Sequence, residues 1–193
     1  MKHRVIILEN EILSDHFYTL RKITFEYHLP NGEKQVQTRE AFDRGNGAAI
    51  LLYHPQNMTV ILTRQFRMPT FINGNPDGMM VEVCAGMLDE DNPEACARRE
   101  SVEETGYQVD KMEKVLEAYM SPGAVTEILH FFIGTYSEKQ KIEEGGGLKD
   151  EHENIEVLEI PLERAMKMIQ TGEIKDAKTI LLLQHLRLKM VTN

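Results

Sequence analysis

Three glutamates, Glu100, Glu103 and Glu104, follow one another at i, i+3 and i+4 in the stretch from Gly86 to Tyr107. At about 100° per residue, a helix gathers them into a sector of roughly 100° on one face. Carboxylate oxygens crowded in this way suit a hard cation such as Mg2+. Without a cation, Glu100 and Glu104 form a like-charge pair that costs roughly a few tenths of a kcal/mol. A solvated charged helix is the plainer explanation of a bare Glu-Glu pair, but the neighbours point elsewhere. Cys96 and Ala97 fall in the same sector and leave room for a ligand, and Arg99, four residues before Glu103, can orient that carboxylate by an ion pair. Arg98, Ser101 and Thr105 lie together on another face, expected to meet solvent, while Ala95 and Val102 form a small apolar contact. The helix itself is well punctuated. Asn92 is a good N-cap, Pro93 suits the first helical position, and Gly106 supplies the stop.

The elements that must position this helix can be read from periodicity. Arg4 to Leu8, Phe17 to His28 and Lys34 to Phe42 read as strands of a small antiparallel sheet, with Pro30-Asn31-Gly32 as a hairpin turn. Gly45-Asn46-Gly47 breaks the pattern. Ala48 to Tyr53 and Thr59 to Thr63 are apolar strands joined by a Pro55-Gln56-Asn57 turn, Met68 to Met79 is expected to be a loop, and Met80 to Cys84 a strand leading to Gly86. Lys114 to Ala118, Ile128 to Tyr136 and Ile155 to Ile160 complete the strands, and helices are expected over Leu162 to Gln170 and Ala177 to Lys189. Glu143-Glu144-Gly145-Gly146-Gly147 reads as a mobile loop. Strands on both sides of a glycine-helix element, closed by helices, make an α+β sandwich the expected class.

Composition narrows the chemistry. The 193 residues suffice for one substantial core, and the formal charge of -9, with no run of basic residues longer than two, argues against a nucleic-acid binder. Cys84 and Cys96 form no CxxC motif and read as buried packing residues. The histidines lack HExxH spacing, and no GxSxG element supports a serine nucleophile. Val5-Ile6-Ile7-Leu8 is too short for a signal-peptide core and no apolar run approaches a membrane span, so a cytoplasmic location and no membrane partner are expected.

The Gly86–Tyr107 stretch resembles a Nudix box. Its usual form is Gly, five residues, Glu, seven residues, Arg-Glu, an aliphatic residue, any residue, Glu-Glu, any residue, Gly and an aliphatic residue. Gly86, Arg99, Glu100, Glu103, Glu104 and Gly106 match it. The interval from Gly86 to Arg99 is one residue short, Asp91 or Asn92 replaces the mid-box glutamate, and Ser101 stands where an aliphatic residue is usual. Arg64-Gln65-Phe66-Arg67 and Ser121-Pro122-Gly123 followed by Thr126-Glu127 resemble elements of the nucleotide-sugar pyrophosphatase branch. Ile12-Leu13-Ser14-Asp15, Asp43-Arg44-Gly45-Asn46-Gly47, Cys84-Ala85-Gly86, the shortened box and the segment Thr171 to Thr179 are similar to the bacterial GDP-mannose pyrophosphatases of NudK type, over nearly the whole chain.

The resemblance implies a Nudix α/β/α sandwich with a mixed sheet over residues 45–193, and an N-terminal antiparallel sheet over residues 1–44 that is exchanged in a homodimer. It implies Mg2+, with Mn2+ as a substitute, held by the Ala85 carbonyl, Glu100, Glu104 and Glu153. Glu103 is implied as a ligand or an orienting group, and Glu104 and Glu103 count with Glu151 as catalytic. The sequence does not decide between Glu151 and Glu153; Glu151 is assigned as base and Glu153 as ligand, on a loop that the glycines would let close like a lid. Implied substrate contacts are Phe17, Thr38, Arg39, Glu40, Arg67, Ala85, Gly86, Met87, Glu104, Glu127, Asp150, Glu151 and Lys178, the N-terminal ones reaching the partner's site, with Phe17 or Tyr18 stacking on the base. The implied reaction is hydrolysis of GDP-mannose to GMP and mannose 1-phosphate. The alternatives are an ADP-ribose or ADP-sugar pyrophosphatase and, in another class, a non-catalytic module that binds a nucleotide sugar.

Overall fold

The computed structural model describes residues 4–148, 150 and 152–192, with Thr192 described by its backbone alone. In chain order its elements are β1 (Val5–Asp15), β2 (Thr19–His28), β3 (Lys34–Asp43), β4 (Gly47–His54), β5 (Thr59–Phe66), α1 (Met68–Ile72), β6 (Met79–Glu82), β7 (Cys84–Met87), α2 (Pro93–Thr105), β8 (Met112–Tyr119), β9 (Ile128–Thr135), β10 (Glu156–Pro161), α3 (Leu162–Thr171) and α4 (Ala177–Thr192). Contacts divide these into a smaller unit, the chain up to Asn46 with Tyr119–Ile128, and a larger one, Gly47–Ala118 with Leu129 onward.

The larger unit is organised by β4, whose residues Ala48 to Leu52 are all buried. A strand buried on both faces must be covered by other elements on both, and its uninterrupted apolar run says so. Ala48, Ile50 and Leu52 pack in one cluster with Cys96 and Ala97 of α2. Ala49 and Leu51 point the other way by the alternation of a strand, and α4, with Leu182, Leu183 and Leu186 buried, packs on β4. One edge of β4 runs parallel to β9, from Gly47↔Leu129 to Tyr53↔Thr135. The other edge is shared: β7 pairs antiparallel with residues 47–50 and β5 with residues 52–54. The seven-stranded mixed sheet runs β10-β5-β4-β9-β8, with β6 on β5 and β7 on β4.

The smaller unit carries an antiparallel sheet in the order β1-β2-β3. Gly32, at φ 91°, takes the left-handed position in the β2–β3 turn. The first strand is longer than the expected Arg4 to Leu8, reaching Asp15 through register shifts at Ile7/Glu9 and Ile12/Ser14.

Two local expectations are corrected. The Met68–Met79 segment is no plain loop, because Pro69 in its first turn starts the short helix α1. The single strand over Met80–Cys84 is two, broken at Val83, where the chain leaves β5 for β4. Among the described residues no helix is long and apolar enough to cross a membrane.

Candidate active site

Helix α2 begins as its sequence dictates. Asn92 is extended and its Oδ1 accepts the Ala95 N–H at 2.9 Å, while Gly106, at φ 80°, ends the helix in the left-handed conformation. Asn92 is thus committed to the cap, which leaves Asp91, of the two residues at the place of the mid-box glutamate, free to face Arg99. Asp91 Oδ2 takes Arg99 Nε at 3.1 Å. Arg99 is the hub of the box: Nη1 reaches Glu100 Oε1 at 2.8 Å and Glu103 Oε2 at 2.9 Å, and Nη2 donates to the Met87 carbonyl at 3.2 Å. The guanidinium offers five donors in a planar fork, so one side chain can fix three carboxylates and a backbone carbonyl together.

The expected solvent face of α2 is corrected. Ser101 and Thr105 are buried, and the Ser101 hydroxyl donates to the Tyr107 carbonyl at 2.8 Å while Thr105 Oγ1 donates to the Ser101 carbonyl. The polar residue in the aliphatic place of the box therefore closes the turn after the helix. Ala95 and Val102 are half-buried, and Arg98 turns back to Glu94 Oε1 at 2.8 Å.

Glu100 and Glu104 face β7. A Cβ added at Gly86 would stand 1.8 Å from Glu100 Oε1, so the carboxylate occupies space that only glycine leaves open. Glu104 is 2 % exposed, and its Oε2 accepts the Ala85 N–H at 3.3 Å. Burial pushes Glu100 up to about 7, with the Glu103 and Glu153 carboxylates adding to it against the pull of Arg99. Burial likewise pushes Glu104 up to about 8, reinforced by Glu100 and Glu153 and opposed by the Cys84 thiol and Arg67. Among the described residues no three His, Cys, Asp or Glu side chains stand as one ready metal-binding group. The donor set nevertheless fits a hard divalent cation: burial and neighbouring carboxylates raise both Glu100 and Glu104, and a cation would relieve both. Cys84 and Cys96 are free and buried, and burial raises both thiols, Cys96 to about 11, so neither is a nucleophile at neutral pH.

The triple glycine, expected as a mobile loop, is tied by hydrogen bonds to the end of α2. Gly146 N–H donates to the Glu104 carbonyl at 2.9 Å and Gly147 N–H to the Glu103 carbonyl at 3.0 Å, so the loop satisfies the last carbonyls of α2. Gly145, Gly146 and Gly147 have φ of 74°, 104° and 80°, which explains why three glycines stand in a row. From there the chain brings in Glu153, whose Oε2 accepts the Leu148 N–H at 3.1 Å and whose charge acts on Glu100 and Glu104. Asp150 is exposed. Glu151 lies outside the described residues.

Of the Arg64–Arg67 element, the structure brings only one arginine toward α2. Arg64 pairs with Glu156 of β10 at 3.3 Å and with Asp77, in the turn before β6, at 3.6 Å. Arg67 instead feels Glu104 and forms a bidentate pair with Glu82, Nε to Oε1 at 3.1 Å and Nη2 to Oε2 at 2.9 Å. Lys178 Nζ meets the same Glu82 Oε2 at 2.8 Å. Glu82 is not among the residues expected at the site, although a lone carboxylate inside the apolar run from Met80 to Cys84 signals that something must pair with it.

The other residues singled out lie in the smaller unit. Phe17 is 82 % exposed and meets Tyr18 edge-on, Tyr18 meets Phe42 edge-on, and Arg44 sits 5.5 Å over the Tyr18 ring. Glu127 faces Arg44 at 3.7 Å. Thr38 Oγ1 contacts Thr24 Oγ1 at 3.2 Å, Arg39 donates to Gln37 at 3.0 Å, and Glu40 is exposed.

Comparison with known proteins places this geometry. The NUDIX domain family model matches residues 43–183, and the model described as the GDP-mannose pyrophosphatase NudK N-terminal domain matches residues 4–42. The chain therefore belongs to the Nudix family, as a pyrophosphatase that hydrolyses phosphorus anhydrides. It is 52 % identical over 186 residues to the GDP-mannose pyrophosphatase of Citrobacter koseri, covering 96 % of each chain. It is 51 % identical over 187 residues to that of Salmonella typhimurium, covering 97 % of each. A crystal structure of an ADP compounds hydrolase shares the fold with a TM-score of 0.73 at 19 % identity, over 98 % of this chain and 96 % of that one.

Proposed function

We propose that the protein hydrolyses the diphosphate of a nucleotide sugar, GDP-mannose to GMP and mannose 1-phosphate, with Mg2+ as cofactor and Mn2+ as a substitute. The observation that carries this reading is the pair of carboxylates Glu100 and Glu104 set against β7, where Glu100 fills the space left by Gly86 and Glu104 accepts the Ala85 N–H, with Arg67 near enough to act on Glu104, an arrangement suited to an anionic diphosphate. The two relatives of about half identity, which span almost the whole chain, supply the substrate.

Glu100, Glu104, Glu153 and the Ala85 carbonyl are the groups that would hold the cation. When bound, Mg2+ would neutralise phosphoryl oxygens and lower the pKa of a water at the site. Arg67 and Lys178 bind the diphosphate oxygens, Gly86 and Met87 line the phosphate side with their backbone, and Glu103 is kept in place by Arg99. Glu151 takes the proton from the attacking water as the oxygen–phosphorus bond forms and the anhydride bond to the leaving phosphate breaks. Asp150 contacts the substrate beside it.

The domain division follows the same reading: residues 1–44 form the exchanged layer of a homodimer and residues 45–193 the hydrolase domain. The apolar side chains on β1, Val5 to Leu8 with Ile12 and Leu13, all more than 40 % exposed, support such a partner. Phe17, Thr38, Arg39 and Glu40 then act in the partner's site, with Phe17 stacking on the base and Glu127 near the sugar or base. The enzyme acts in the cytoplasm on a small molecule and has no nucleic-acid or membrane partner.

The test is side-by-side hydrolysis of GDP-mannose, ADP-ribose and ADP-glucose with Mg2+, products separated by chromatography. GDP-mannose is expected to give GMP and mannose 1-phosphate with the highest kcat/KM. Preference for an adenine nucleotide would overturn the guanine assignment, and three intact substrates would overturn the enzyme.

A further inference from the structure

Among the described residues, Glu82 is the other buried carboxylate of the larger unit besides Glu104, 3 % exposed at the end of β6. It contributes nothing to the cation site described above. Two cations converge on it: Arg67 gives it a bidentate pair, and Lys178 shares its Oε2. Lys178 also contacts Asp176 Oδ1 at 3.0 Å, and Asp176 Oδ2 accepts the Thr179 N–H at 2.9 Å and the Thr179 hydroxyl. That hydroxyl oxygen in turn accepts the Val83 N–H at 2.7 Å, at the break between β6 and β7. The network therefore ties the start of α4 to the chain just before Ala85.

Stability alone is a poor reason for this arrangement. Two anions and two cations brought together below the surface lose hydration that their mutual attraction barely restores, and apolar residues of similar volume serve packing as well. The asymmetry of Arg67 offers a better one. Glu82 is almost wholly enclosed, whereas the Arg67 side chain is 40 % exposed, so the fork is anchored along its Nε–Nη2 edge and leaves the Nη1 edge to other partners. The charge of Arg67 is felt by Glu104 on α2, so the guanidinium lies near the carboxylate helix.

We propose that Glu82 is a positioning residue for the two phosphate-binding cations: it fixes the Arg67 fork and, through the shared Oε2, holds Lys178 to it, so that both meet the diphosphate as one preformed unit. This rests on the nucleotide-sugar pyrophosphatase reading. It adds a residue that touches no substrate and acts only through Arg67 and Lys178.

The test is a kinetic cycle on the full chain with GDP-mannose and Mg2+. E82Q keeps the shape and loses the charge; it is expected to raise KM about 10-fold or more with kcat within about threefold, because the lost order concerns ground-state and transition-state binding alike. In an R67A background, E82Q is expected to raise KM by a clearly smaller factor than in the wild type, since one of the two residues through which it acts is gone. Equal effects of E82Q in both backgrounds, or a fall in kcat with unchanged KM, would overturn the proposal. If E82Q does not fold, E82M/K178M removes an anion and a cation together, and its KM is compared with that of K178M. A higher KM in the double variant supports the proposal, and equal values overturn it. If the wild-type protein left GDP-mannose intact, the substrate reading alone would fail. Pyrophosphate affinity by calorimetry, in the same variants, would then read the positioning of Arg67 with the same two outcomes.

Discussion

At the scale of single residues, the site stores unfavourable charge that function explains. Glu104 is buried beside Glu100, and its carboxyl is pushed up to about 8. A carboxyl whose folded pKa lies above the unfolded value of 4.5 makes the folded state bind more protons, so its effect on stability becomes unfavourable as pH rises from 4.5 through about 8. E104Q is therefore expected to raise the melting temperature in EDTA at pH 8 by about 5 °C or more while abolishing hydrolysis. Mg2+ should raise the melting temperature of the wild type and leave E104Q unmoved; a variant less stable than wild type in EDTA would contradict the charge argument. Glu82 has the opposite sign. Burial alone would push it up, but Lys178 and Arg67 outweigh burial and hold it down to about 2. Its stabilisation is complete above 4.5 and is lost as pH falls toward about 2. Urea unfolding of wild type and E82Q should thus differ by on the order of 3 kcal/mol near pH 6, shrinking toward zero near pH 2. A gap that stays constant across that window would show that the Glu82 charge is not its source. Residue spacing made part of this legible: the meeting of Glu100 with Glu104 follows from helical periodicity alone. The clamp on Glu82 did not, because Lys178 lies 96 residues away and no local pattern joins them.

At the scale of elements, the ends of α2 show what a sequence can and cannot disclose. Its start and stop were legible in Asn92, Pro93 and Gly106, since caps are chemistry between neighbours. The face bearing Ser101 and Thr105 was misread because its cover comes from distant chain. Ile142 and Glu143 N–H groups bond to the Gly106 carbonyl, and the triple glycine follows onto the carbonyls of Glu103 and Glu104. Helix α1 was missed for another reason: five residues are too few to show a period. The glycine clamp also makes a prediction. A Cβ at Gly145 would stand 2.6 Å from the Thr105 carbonyl carbon and 2.7 Å from the Glu104 oxygen, at φ 74°. G145A should therefore lift the loop from the helix end and displace Glu153, lowering kcat about 10-fold or more with a smaller change in KM. G123A is the control, because nothing lies within 4 Å of a Cβ there. Equal rates for G145A and wild type would mean that the clamp does not position the loop.

At the scale of the whole molecule, β1 sets the problem. It is the edge of a three-stranded sheet, and Val5, Ile6, Ile7, Leu8, Ile12 and Leu13 stay exposed although apolar. An apolar edge strand left open invites association, and the exchanged dimer we propose would both cover it and give Phe17, Thr38 and Arg39 a use. The β periodicity of this sheet was legible, whereas its exposure could not be read, since alternation does not say which faces a fold leaves bare. The decisive prediction concerns shared sites. R39A damages only the donated layer, and E104Q damages only the hydrolase domain, so each homodimer should be nearly inactive. Subunits exchanged in a 1:1 mixture would form mixed dimers in half of the cases, each with one intact site of two, restoring about a quarter of wild-type activity. Light scattering should give twice the 22.2 kDa chain mass for every variant used. If the mixture stays as inactive as its components while the dimers demonstrably exchange, Arg39 serves the site of its own chain and the exchanged layer is wrong.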